Sequence, residues 1–188
     1  MSQRKLIDQL TPKELTKSVY LSQLLFFFIS IILGFILIKD LEIIKGLFQF
    51  DGEQIFYYGV LFALALVIIE IILYNIIPKK HFDDGGINEK LFRNQSIVSI
   101  FFIALTVAIA EEFLFRGVIQ TAFGYLFASS LFVIVHTRYL KKPILLLLLI
   151  GTSFLIGFLF ELTNNILVTI VFHFVVDFTL GLYIKFNK

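Results

Sequence analysis

The chain contains no cysteine, so disulfides, thiolate nucleophiles and cysteine-ligated zinc are excluded. Charge is scarce as well. Asp, Glu, Lys and Arg make up 16% of the 188 residues, whereas an average soluble domain carries about a quarter. No glycine-rich phosphate loop, internal repeat or lipidation signal occurs. The start, Met1-Ser-Gln-Arg-Lys-Leu-Ile-Asp8, is polar, and no small-residue site follows the first apolar run, so a cleaved signal peptide is not expected. The net charge of +2 says little about partners, because the basic residues are grouped by loop. A nucleic-acid partner is not expected.

What the chain has instead is apolar surface. Hydrophobic residues make up 59% of it, and the mean hydropathy is +0.93. A soluble core in so short a chain cannot absorb that excess. The expected class is therefore all-α: a polytopic helical protein in a cell membrane, with the lipid bilayer as its surroundings. A spanning helix needs about 20 apolar residues. Six stretches qualify: Val19–Ile38, Ile55–Ile77, Ile97–Phe123, Tyr125–Leu140, Pro143–Phe160 and Asn165–Ile184. The fourth is short and the third long. Gly124 supplies a turn between them, and Pro143 suits a helix first turn. Asn164 and Asn165 are expected to cap the sixth helix. Residues 1–96 hold the first two spans and a polar linker, and residues 97–188 hold the last four spans. Together they read as one structural domain. The linker, His81–Gln95, contains Asp83-Asp84-Gly85-Gly86 and has room for a short interfacial helix.

Thirteen of the 16 basic residues fall on one side of this arrangement. They precede span one, lie between spans two and three and between spans four and five, and end the chain at Lys185 and Lys188. Lys39, Lys45 and Arg116 fall toward the other side. The positive-inside rule then places both termini in the cytoplasm.

Within these greasy stretches sit a few ionisable groups. Each costs roughly 2.5–3.5 kcal/mol at bilayer depth, which calls for a compensating use. Glu112 and Arg116 are four apart, in the favourable acid-first order for an intrahelical ion pair. Such a pair makes both charges tolerable, and it need not compete with a function. Glu111 points about 100° away from Glu112 and has no cation on its own helical face. Its partner must come from another helix, or the group is protonated. Burial suits such a carboxyl to act as a general base. Two of the three histidines, His136 and His173, also lie in apolar stretches. Each alone reads as easily as a packing histidine bonded to a backbone carbonyl. His173 and Asp177 are four apart on one face, as an orienting acid beneath an imidazole requires. Counted from the Gly124 turn, Glu111 and His136 lie at nearly the same depth, about 18–20 Å, with His173 about 16 Å from its own turn. Convergence on one site requires the third helix to run on to Phe123. Glu70 is a lone acid on span two without an assigned role. Ser129 shares a face with His136, where helix packing is the stronger reading.

The motifs Glu111-Glu112-Phe-Leu-Phe-Arg116, Phe132-Val-Ile-Val-His136 and His173-Phe-Val-Val-Asp177 stand in that order. In this the chain resembles the CPBP intramembrane proteases, the CAAX-prenyl-protease and bacteriocin-processing group also called Abi proteins. The resemblance covers about Ile97 to Gly181. It implies peptide-bond hydrolysis at the membrane, with a peptide or membrane protein as substrate. It further implies Glu111 as the base that activates water, with His136 and His173 holding that water or stabilising the oxyanion. Asp177 would orient His173, while Glu112 and Arg116 would shape the site. Glu111, His136 and His173 could also form a zinc-type set with one open position, or they could serve a metal-free mechanism. The 25 residues from Glu111 to His136 form a shorter interval than the family pattern, which implies a tight hairpin.

Three functions compete on this evidence. The first is an endopeptidase of peptide maturation, bacteriocin immunity or membrane-protein regulation. The second is a non-catalytic scaffold that keeps the protease fold. The third is a proton-coupled transporter, against which the lack of an inverted repeat argues.

Overall fold

The computed structural model describes residues 10–187. Residues 1–9 and 188 lie outside the described part, and with them Arg4, Lys5 and Lys188 of the charge pattern. Helices make up the fold, and no strand occurs among the described residues. Eight are numbered here in chain order: α1 (Pro12–Leu37), α2 (Leu41–Gly46), α3 (Gly52–Ile76), α4 (Ile87–Phe92), α5 (Ile97–Phe123), α6 (Tyr125–Val135), α7 (Pro143–Thr163) and α8 (Ile166–Phe186). Five of them, α1, α3, α5, α7 and α8, are long and apolar enough to cross a membrane, and α6 is a shorter apolar helix. The protein is a polytopic helical membrane protein.

Local chemistry explains where these helices depart from the hydropathy reading. Helix α1 starts seven residues before Val19. Thr11 and Glu14 form a capping box there, and Pro12 occupies the first helical position. Asn165 caps α8 by accepting from the Leu167 amide. Asn164 does not cap that helix. It closes the end of α7 in a left-handed conformation at φ 47°, a geometry asparagine tolerates better than most residues. In the linker, the Asp84 carboxylate accepts from the amides of Gly86, Ile87 and Asn88 and starts α4.

Helix α6 differs most from expectation. It has 11 residues, not the 16 of the stretch Tyr125–Leu140. At 1.5 Å per residue that is about 16 Å, roughly half the hydrocarbon thickness. The helix stops because His136 Nδ1 bonds the Phe132 carbonyl at 2.7 Å and the chain turns over His136–Lys142. Its other end begins at Gly124, whose φ of 86° makes the tight turn out of α5.

The helices pack through a few close approaches. Ala63, Val67, Ile156, Leu159, Phe172 and Val176 join α3, α7 and α8 in one core. Leu114, Phe115 and Ile119 of α5 meet Ala128 and Phe132 of α6, with Phe26, Ile29 and Leu33 of α1 against them. The first two spans are thus built into the motif-bearing helices. Outward-facing residues such as Phe28, Phe35, Ile68, Phe102 and Leu126 are exposed and apolar, as a lipid-facing surface requires. Gly157 of α7 lets α6 come close: a Cβ there would stand 2.5 Å from Ser129 Oγ and 2.9 Å from the Tyr125 ring. Gly151, two turns earlier on the same helix, has open space around it. Gly157→Ala is therefore expected to destabilise the protein by about 1–3 kcal/mol through overpacking. Gly151→Ala should be neutral or slightly stabilising. Unfolding of both purified variants in detergent checks the contrast.

Candidate active site

Helix α5 carries the adjacent acids at the point where its winding changes. Ile97–Glu112 is ordinary α-helix, and Phe113–Gln120 is π-helix. Such wide turns are rare and concentrate at functional sites. The helix continues to Phe123, as convergence of the motifs requires.

The two glutamates face different surroundings. Glu112 has no exposed surface, and neither has Arg116. Arg116 Nη1 lies 3.3 Å from Glu112 Oε1, its Nη2 donates to the Ser153 carbonyl at 3.0 Å, and its guanidinium sits 4.8 Å from the Phe132 ring centre. His173 Nδ1 reaches the same Glu112 oxygen at 2.8 Å. One buried carboxylate thereby ties α5 to α8, and its arginine ties α5 to α7. Glu111, a residue earlier, turns toward a cavity of about 690 Å³. His136, His173 and Asp177 line the same cavity, whereas Glu112 and Arg116 do not.

Around Glu111 the distances are short. Oε2 stands 3.9 Å from His136 Nε2, and Oε1 accepts a hydrogen bond from Gln23 Nε2 at 3.0 Å. The His136 ring stacks on Tyr139, with centroids 6.4 Å apart and planes 5° from parallel. Burial holds the Tyr139 hydroxyl above its ordinary pKa range, so it stays protonated. The Phe132 carbonyl only accepts, so His136 Nδ1 donates to it and Nε2 is the ring nitrogen that faces Glu111. Asp177 Oδ2 lies 3.5 Å from His173 Nε2. His173 is therefore flanked by two acids, and Glu112 makes the closer contact.

All six motif residues thus meet within one region of the bundle, four on the cavity and two behind it. A family description, type II CAAX prenyl endopeptidase Rce1-like, matches residues 93–179. The chain is also 36% identical over 167 residues to "Uncharacterized protein YpbD" of Bacillus subtilis (strain 168), covering 89% of this chain and 88% of that protein. The chain belongs to the Rce1-like family. No solved structure matches it. Rce1-like proteins form a protease family, and the matched segment holds all three motifs.

The side chains as placed do not gather around a metal ion. Among the described residues, no three His, Asp or Glu side chains are grouped to hold one. In the zinc-type set Glu111, His136 and His173, each histidine is held through Nδ1, by the Phe132 carbonyl and by Glu112, which leaves Nε2 as its remaining ring nitrogen.

Ser129 lies off the cavity. It is buried between α6 and α7, where its carbonyl accepts from Ser153 Oγ at 3.0 Å, a packing role. Glu70 does reach the cavity wall, where Thr152 Oγ1 donates to it at 3.4 Å. Gln23 was not singled out from the sequence. Its signal was an isolated amide in the apolar run of span one, the pattern that made Glu70 visible.

Arg116→Met should leave the Glu112 carboxylate buried without its cation. Removing one partner of a buried pair costs about 3–5 kcal/mol. Arg116→Lys should recover only part of this, because a lysine ammonium cannot reach Glu112 and the Ser153 carbonyl as a planar fork does. Chemical denaturation of the three proteins in detergent reads the order.

Proposed function

We propose that the protein is an intramembrane endopeptidase that hydrolyses peptide bonds with a Glu111-activated water. The observation that carries this reading is the different placement of the paired acids. Glu111 faces the cavity beside His136 Nε2, while Glu112 is sealed behind it. A water between Glu111 Oε2 and His136 Nε2 has an acceptor for each hydrogen, which turns its lone pairs toward a substrate carbonyl. Glu111 takes one proton as the water oxygen bonds the carbonyl carbon. His173, at the cavity wall, stabilises the oxyanion. The proton then passes from Glu111 to the leaving nitrogen, the carbon–nitrogen bond breaks, and an amine leaves with a carboxylic acid, which gives its own proton to solvent. Glu112 and Asp177 fix His173, and Arg116 fixes Glu112.

The substrate is a peptide or membrane protein presented at the membrane surface, in peptide maturation, bacteriocin immunity or membrane-protein regulation. With both termini in the cytoplasm, the cavity opens on the cytoplasmic side: its wall includes Lys79, Asn88, Arg138 and Asn187, near the helix ends that carry most of the basic charge.

Peptides in host membranes test this reading. Strains carrying the wild-type protein, Glu111→Gln, or no copy should be compared by mass spectrometry. The reading expects a set of cleavage products present in wild type and missing from the other two, with Glu111→Gln inserted at normal level. Products formed at wild-type level by Glu111→Gln would sink it. A phenotype retained by that variant without any cleavage would favour the scaffold instead.

A further inference from the structure

We propose that Gln23, on α1, is the positioning residue for Glu111. This rests on the proposed role of Glu111 as base and extends it to a helix outside the matched residues 93–179. Gln23 is 6% exposed, in a helix whose neighbouring residues Leu21, Leu24 and Leu25 are exposed and apolar. Its Nε2 donates to Glu111 Oε1 at 3.0 Å. That orientation follows from the partner, since an ionised carboxylate only accepts and the amide nitrogen must face it. Among the described residues, this is the side-chain hydrogen bond that Glu111 receives. His136 Nε2, at 3.9 Å from Oε2, is beyond hydrogen-bond reach. The two carboxylate oxygens are thus divided: Gln23 anchors Oε1, and Oε2 is left facing His136.

The other half of the amide is orphaned, as are Glu112 Oε2, Arg116 Nε and Gln120 Oε1. Gln23 Oε1 is buried and has no hydrogen-bond partner. A half-satisfied amide in an apolar interior is a stability cost, and methionine, of similar length, would avoid it. Glutamine at this position lowers stability and gains a fixed carboxylate.

Gln23→Met should therefore slow formation of the Glu111-dependent peptide products in host membrane vesicles by roughly 10–100-fold, the effect of a misaligned base. Its melting temperature in detergent should stay within a few degrees of wild type, because the orphaned Oε1 is removed together with the bond to Glu111. Gln23→Asn keeps the amide but is one methylene too short to reach Glu111, and should be comparably slow. A wild-type rate in Gln23→Met would overturn the assignment. So would a lower melting temperature in both variants, or their failure to fold, because either outcome makes Gln23 a core residue. Wild-type product formation by Glu111→Gln would be a separate failure, that of the proposed function, and this assignment would fall with it.

Discussion

Glu112 keeps a charged group where no water reaches it, and the rest of the site is arranged around making that tolerable. Arg116 and His173 converge on one of its oxygens, at 3.3 Å and 2.8 Å. A buried ion pair of this kind adds little to stability by itself, because desolvation offsets the attraction. What it does is fix geometry. Three helices, α5, α7 and α8, are pinned through it, since Arg116 also bonds the Ser153 carbonyl. The π-helical stretch after Glu112 belongs to the same device, carrying Arg116 into the space between α5 and α7.

From that anchor the chemistry follows by rotation along one helix. Adjacent helical residues point about 100° apart, so sealing Glu112 inside the bundle turns Glu111 toward the cavity. His136 arrives opposite because α6 is short and ends there, its last turn closed by the histidine's own bond to Phe132. His173 is held by an acid that the cavity does not touch. Rigid elements thus position each ring.

Much of this was legible in the sequence, for definable reasons. Charged residues in apolar runs are costly enough to stand out, so Glu111, Glu112, Arg116, His136, His173 and Asp177 could all be named. Equal spacing from Gly124 placed Glu111 and His136 at one depth, and they lie together in the structure. Other features depended on side-chain bonds that hydropathy does not register. The Thr11–Glu14 capping box lengthens α1, and the His136–Phe132 bond ends the fourth helix after 11 residues. That Glu112, more than Asp177, holds His173 required knowing how α5 and α8 face each other. Gln23 escaped because a single neutral amide is weak evidence until the group it touches is known.

The central claim is a division of labour between neighbouring acids, one for chemistry and one for architecture. The melting temperature of Glu111→Gln set against that of Glu112→Gln tests it most directly. The account predicts that Glu111→Gln melts close to wild type, while Glu112→Gln, which strands Arg116 in the apolar interior, melts many degrees lower. Equal melting temperatures, or a less stable Glu111→Gln, would contradict it.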